Sequence, residues 1–339
     1  MRRIILITFL IEGLGALFIF RSIDSTVIPF LNQRVFFSIF HSVSGFCNAG
    51  FSTLQNSLYQ GPYQFNYPMH LIIASLIILG GLGFPIVFNL LKFIKAKVVF
   101  YLHGFYKKKQ QQYIPRLINI NTRIVLITTL VLIVGGTLLF YLFEYNNTLS
   151  EHSFTGKIVT AFFGAVTTRT AGFNTVDTAV LSIPTVLVVV FLMWVGASPG
   201  STGGGIKTSS LAIALLNIAN VARGKSRFEV YNREISSTTV NKAFALIVLS
   251  IIVISIAILS ISIFEPDKSL LNISFECVSA YSTVGLSRGI TADLSFASKL
   301  ILIFTMFLGR VSTLTILIAI IKKRRSEIYR YPSESILIN

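Results

Sequence analysis

Tyr281-Ser282-Thr283-Val284-Gly285-Leu286-Ser287 is the stretch whose reading decides the fold. Its glycine permits backbone angles that a side chain forbids, and it lets the chain run close to a neighbour. A polar-capped run at 269–280 leads into it and reads as a short helix. Apolar runs flank the pair at 243–264 and 297–321. Each reaches the roughly 20 residues needed to cross about 30 Å of hydrocarbon. The order is membrane helix, short re-entrant helix, irregular turn, membrane helix.

The same order occurs twice more. Phe46-Cys47-Asn48-Ala49-Gly50-Phe51 lies between apolar runs at 4–20 and 69–88. Thr168-Arg169-Thr170-Ala171-Gly172-Phe173 lies between runs at 124–143 and 183–194. Aligned on their glycines, which stand 122 and 113 residues apart, the turns read Asn-Ala-Gly-Phe, Thr-Ala-Gly-Phe and Thr-Val-Gly-Leu. Three such turns in one frame mark an internal repeat. The tetrapeptide Thr283-Val284-Gly285-Leu286 is also close to the Thr-Val-Gly-Tyr core of potassium-channel filters, where backbone carbonyls replace the hydration shell of the ion.

Composition agrees with membrane residence. The 339 residues are 53% hydrophobic and 12% charged, against about 25% charged in soluble domains. The run at 4–20 follows Arg2 and Arg3 but has no small-residue cleavage site, and Glu12 interrupts it, so it reads as a membrane helix rather than a signal peptide. The net charge of +16 does not call for nucleic acid, because 20 of the 29 Lys and Arg sit in four clusters at 2–3, 92–123, 223–242 and 322–330. All four fall on the side opposite the turns if each apolar run crosses once. Positive loops face the cytoplasm, so the turns face outward across the cell membrane. Attraction of these clusters to anionic membrane lipid is compatible with that. The cysteines, Cys47 and Cys277, show no metal or disulfide spacing.

The expected fold is an all-α polytopic membrane protein with three consecutive helix–pore-helix–helix repeats. They occupy 1–95, with its turn at 47–51, then 121–222, with its turn at 169–173, and 243–321, with its turn at 282–286. Basic linkers at 96–120 and 223–242 and a tail at 322–339 lie on the cytoplasmic side. Lys107-Lys108-Lys109-Gln110-Gln111-Gln112 in the first linker reads as a solvated surface or a docking face. Gly80-Gly81-Leu82-Gly83-Phe84-Pro85 interrupts the second crossing as a kink or a close helix contact. A larger break comes at Val195-Gly196-Ala197-Ser198-Pro199-Gly200-Ser201-Thr202-Gly203-Gly204-Gly205-Ile206-Lys207-Thr208, before a helix resumes at 209–222. Five glycines and a proline cannot hold a regular helix. Irregular backbone at membrane depth must be shielded by protein or line a watery cavity, which puts this loop under the turns. The alternative is an aqueous loop between two separate helices. Arg310 follows Gly309 inside the last apolar run. A charge there faces a cavity or a partner, unless the helix ends early and leaves it at the interface.

Taken together, these motifs resemble the Trk/Ktr/HKT superfamily of potassium transporters, most closely the Ktr membrane subunit. The likeness covers essentially the whole chain. It rests on the three turns, on 196–208, on Gly309-Arg310-Val311 and on Tyr329-Arg330-Tyr331-Pro332. The resemblance implies a pseudo-fourfold pore with an intramembrane gating loop below the filter and Arg310 beside that loop. It implies a homodimer, each subunit with its own pore, docked on a cytosolic nucleotide-binding regulatory ring of the KtrA/TrkA type. Two features depart from the pattern. Cys47 stands where such proteins often carry asparagine. The family has four repeats and this chain shows three, matching the second to fourth, so the expectation is a fragment or a truncated gene.

The expected filter carbonyls belong to Cys47, Asn48, Ala49, Gly50, Thr170, Ala171, Gly172, Ser282, Thr283, Val284 and Gly285. The expected gate comprises Ser201, Thr202, Gly203, Gly204, Gly205, Lys207 and Arg310. The expected cargo is K+, alone or coupled to Na+, and no other cofactor is implied. A secondary transporter for another substrate fits less well, because Glu12 is the sole acidic residue well inside a span. An enzyme is disfavoured: His41, His70, His103 and His152 are scattered, and neither HExxH nor a nucleophile elbow occurs. A non-conducting relic is the third alternative.

Overall fold

The computed structural model describes residues 2–106, 118–225, 227–311 and 313–320. The lysine–glutamine run at 107–112 and the tail at 329–332 lie outside the described residues. The first unit holds α1 (Arg2–Ser22), α2 (Leu31–Phe46), α3 (Tyr67–Leu82) and α4 (Phe84–Tyr106). The second holds α5 (Ile120–Glu144), α6 (Phe154–Thr167), α7 (Ile183–Trp194) and α8 (Thr208–Ala222). The third holds α9 (Ser237–Phe264), α10 (Leu270–Tyr281), α11 (Phe296–Val311) and α12 (Thr313–Ile320). Between the second and third units a two-stranded hairpin pairs Glu229 with Glu234 and Val230 with Arg233. Its turn residues, Tyr231 and Asn232, both take positive φ, the backbone of a type I′ turn.

Among the described residues, three helices are long and apolar enough to span a membrane, or four if α3 and α4 count as one bent span. Large apolar side chains lie exposed along α1, α5, α9 and α11. In water that surface would drive aggregation, and in hydrocarbon it is satisfied.

Each unit closes one end in the same way. The first helix meets the residue that begins the second long helix, where orphan N–H groups need acceptors. Asn66 caps α3 and donates Nδ2 to the Ser22 carbonyl at 2.8 Å. Ser182, at the N-cap position of α7, donates its N–H and Oγ to Glu144 Oε1 at 2.9 and 2.8 Å. Ser295, just before α11, donates its N–H to Glu265 Oε1 at 2.7 Å, and Ser298 Oγ adds a bond at 2.9 Å. These bonds, the Ser295 backbone N–H first, hold the Glu265 carboxyl below the usual carboxylate range.

The units interlock in chain order. Helix α3 packs against α6, the short helix of the next unit, and α7 packs against α10. One core therefore joins Phe46, Met69, Ile73 and Ile77 to Phe163, Ala171 and Phe173, and another joins Val186, Val189 and Met193 to Val278, Val284 and Leu286.

The second crossing is not one helix. At Gly83, with φ 77°, the chain turns through 102° between α3 and α4. Pro85 cannot continue the hydrogen bonding of the preceding turn. The notch is filled: a Cβ on Gly83 would lie 2.8 Å from the Gly200 carbonyl group. Helix α4 then carries on to Tyr106, so residues 96–106 of the anticipated linker are helical. Helix α9 likewise begins at Ser237, inside the anticipated second linker.

Candidate functional site

The three turns follow the C-terminal ends of α2, α6 and α10, and share one backbone pattern. Asn48, Thr170 and Thr283 take positive φ, and so do Gly50, Gly172 and Gly285 two residues on, while the residue between them does not. A non-glycine residue in this region is uncommon and signals an imposed conformation. The alternation of φ sign gives the three turns one backbone course. The short helices also direct the partly negative C-terminal ends of their dipoles at the same place.

A hydroxyl holds each turn shut. Ser44 Oγ donates to the Phe51 carbonyl at 2.7 Å, Thr167 Oγ1 to Phe173 at 2.6 Å and Ser279 Oγ to Leu286 at 2.7 Å. The backbone carbonyl of the same residue accepts the N–H of Ala49, Ala171 or Val284 respectively. These clips were not anticipated. Their trace in the sequence is a Ser or Thr five or six residues before each glycine.

The turns abut in order. A Cβ on Gly50 would sit 2.2 Å from the Ala171 carbonyl oxygen, and one on Gly172 would sit 2.1 Å from that of Val284. Nothing described lies within 4 Å of the same direction at Gly285. Asn48 bridges the first two turns. With its amide nitrogen toward the Gly45 and Ile77 carbonyls, its oxygen accepts from Thr170 Oγ1 at 3.2 Å. Cys47 stands apart: its thiol is turned back toward Glu12 Oε1 at 3.9 Å.

The loop at 196–208 packs directly on this assembly. A Cβ on Gly203 would meet Thr170 Oγ1 at 2.1 Å, and one on Gly204 would meet Thr283 Oγ1 at 2.4 Å. A Cβ on Gly205 would meet Ser282 Oγ at 3.1 Å. Only glycines allow that approach. The Ser282 and Thr283 hydroxyls are buried there with no partner among the described residues, an arrangement that normally costs stability. Val195 and Ile206 close the loop by a parallel bridge. Ser198 N–H reaches the Gly81 carbonyl at 3.0 Å. Lys207 Nζ donates to the Gly203 carbonyl at 2.7 Å, and Arg310 Nη1 donates to the Thr202 carbonyl. Ser201 Oγ folds back on the Ser198 carbonyl at 2.6 Å.

Beside the third turn, two further residues escaped the sequence reading. Glu276 is buried on α10 and accepts from Ser287 Oγ at 2.5 Å, Thr291 Oγ1 at 2.9 Å and the Arg288 N–H at 3.1 Å. The Arg288 guanidinium reaches into the preceding unit, to the carbonyls of Thr178 at 3.0 Å and Ala179 at 2.8 Å. His41 on α2 plays the matching part in the first unit, with Nε2 2.9 Å from Ser52 Oγ. Replacing Glu276 by alanine takes the acceptor from three donors, of which only the Ser287 and Thr291 hydroxyls have each other at 2.8 Å, and each bond left unmade costs about 1 kcal/mol or more. We expect Glu276→Ala to lower the melting temperature of the detergent-solubilised protein by several degrees, and an unchanged melt would contradict this account of the contacts beside the third turn.

The site thus brings together three glycine turns of one backbone pattern and a glycine-rich loop that Lys207 and Arg310 hold through its carbonyls. Among the described residues no group of three or more His, Cys, Asp or Glu could hold a metal ion.

The family profile for TrkH, a cation transport protein, matches residues 1–330. The chain is 36% identical to the potassium/sodium uptake protein NtpJ of Enterococcus hirae over 312 residues, covering 90% of this chain and 64% of that protein. It is 34% identical to the Ktr system potassium uptake protein B of Vibrio alginolyticus, with 89% and 62% covered. It is 31% identical to the Ktr system potassium uptake protein D of Bacillus subtilis, with 100% and 71% covered. It thus spans rather under two thirds of the length of the first two relatives. The crystal structure of the potassium transporter TrkH from Vibrio parahaemolyticus superposes with a TM-score of 0.63 at 18% identity, covering 92% of this chain and 71% of that one.

Proposed function

Because this chain belongs to the TrkH family of cation transport proteins, we propose that it takes up potassium across the cell membrane through a carbonyl filter closed by the loop at 196–208. The observation that carries the reading is the direct seating of Gly203, Gly204 and Gly205 on the filter threonines and Ser282. The carbonyls of residues 47–50, 170–172 and 282–285 strip and replace the water of the ion. The loop, held by Lys207 and Arg310, blocks the inner end until it is displaced.

The filter faces outward, since the basic clusters gather on the other side. The working assembly is a homodimer on a cytosolic nucleotide-binding ring, and the basic surface also meets anionic lipid. Sodium accompanies or competes with potassium, in line with the name of the NtpJ relative. The test is growth. A bacterial strain without potassium uptake of its own, expressing the intact transporter, should grow at limiting potassium. Failure to grow with the protein present in the membrane would overturn the reading.

A further inference from the structure

Three cationic side chains meet the loop, and the transport reading uses two of them. The third is Arg169. It stands three residues before its glycine, the place of Cys47 in the first turn and of Ser282 in the third. Its side chain is buried, and Nη2 donates to the Gly196 carbonyl at 3.5 Å. Gly196 is where the loop departs, just after the Val195–Ile206 bridge.

The placement is costly. Among the described residues no carboxylate lies within ion-pair distance of Arg169, and a buried charge without a partner is strongly unfavourable. Two sources of negative potential offset this: the Gly196 carbonyl, and the C-terminal end of α6 at Thr167, two residues earlier. Even so, Arg169 Nε has no partner among the described residues, and neither does Thr129 Oγ1. Both residues line one cavity of about 10 Å³, with Ile77, Gly81 and Val166. The guanidinium therefore sits behind the second turn, where α3, α5 and α6 meet the root of the loop. An arginine kept for stability alone would be fully paired, or replaced by an apolar side chain at no loss. One long bond to a loop carbonyl suits an element that must let go.

We propose that Arg169 is a positioning residue that couples the second filter turn to the gating loop. It holds the Gly196 carbonyl, so that filter turn and loop root move as one body. The inference rests on the gate reading above. It also sets this place apart from Cys47, whose thiol turns to Glu12, and from Ser282, whose hydroxyl lies against Gly205 without reaching the loop root.

The test compares Arg169→Met and Arg169→Lys in the intact transporter, each with and without residues 201–205. Rubidium uptake and amide hydrogen exchange over 196–208 are measured in each. With the loop present, Arg169→Met should raise uptake about tenfold, within the usual span of site-to-site coupling, and Arg169→Lys should raise it less. Neither should alter uptake once the loop is deleted, and both should speed exchange over 196–208. Equal changes in both backgrounds, or unchanged exchange, would overturn the coupling. If Arg169→Met fails to reach the membrane, Arg169→Lys decides by the same criteria. A deletion that leaves uptake unchanged tells against the gate, while the exchange result still judges the tether.

Discussion

Deleting residues 201–205 should raise potassium flux on the order of tenfold or more, the size expected when a switch with a few kcal/mol of bias is removed. The reason is steric and electrostatic together. Gly203 and Gly204 lie against Thr170 Oγ1 and Thr283 Oγ1, so under the proposed reading an ion leaving the filter meets backbone. Lys207 and Arg310 meet the same segment through the Gly203 and Thr202 carbonyls. Their charge repels a cation in a region of low dielectric, where such terms are large. Deletion removes the backbone and two of the carbonyls that these cations hold. The remaining ends can rejoin, because the Val195–Ile206 bridge lies outside the deleted span. Rubidium uptake by cells expressing matched amounts of protein is the readout. Unchanged or lower uptake, with normal membrane levels, would sink the gate.

Gly172→Ala should damage ion discrimination more than Gly285→Ala. Both glycines take positive φ, 84° and 91°, where a side chain costs about 1–2 kcal/mol. The surroundings differ. The new Cβ at 172 would lie 2.1 Å from the Val284 carbonyl oxygen, and at 285 nothing described lies within 4 Å. Gly172→Ala must therefore push the third turn away and turn its carbonyl from the ion. Losing about 1.4 kcal/mol of the difference between potassium and sodium lowers their selectivity ratio about tenfold. Gly285→Ala carries the backbone strain alone and should cost less. Competition of sodium with rubidium uptake measures both. Equal losses would mean that the turns do not abut as described.

How much of this was readable in the sequence varies with how local the cause is. The three turns were legible because glycine in a fixed frame, after a capped short run and before an apolar one, has few other readings. Ser153 and Ser269 cap α6 and α10 through Gly156 and Asn272 N–H groups, and α10 lies one residue from the run expected at 269–280. The glycine-rich loop was legible for the same reason. Gly80 to Pro85 was read only as a kink or contact, since local composition does not say what fills a bend. What fills it is the Gly200–Ser201 backbone, over a hundred residues away. Helix α4 ran past its expected end because lysines on an otherwise apolar run are good helix formers as well as linker residues. Arg169 and the clips at Ser44, Thr167 and Ser279 were missed because a lone Arg, Ser or Thr gives no periodic signal. Their meaning comes from the carbonyl each one meets in the folded chain.

The most direct measurement is rubidium flux into liposomes holding the purified intact transporter, with potassium or sodium as competitor. The account predicts flux that potassium suppresses strongly and sodium weakly, rising when residues 201–205 are removed. No flux with or without the loop, or equal suppression by the two ions, would contradict a carbonyl filter closed from below.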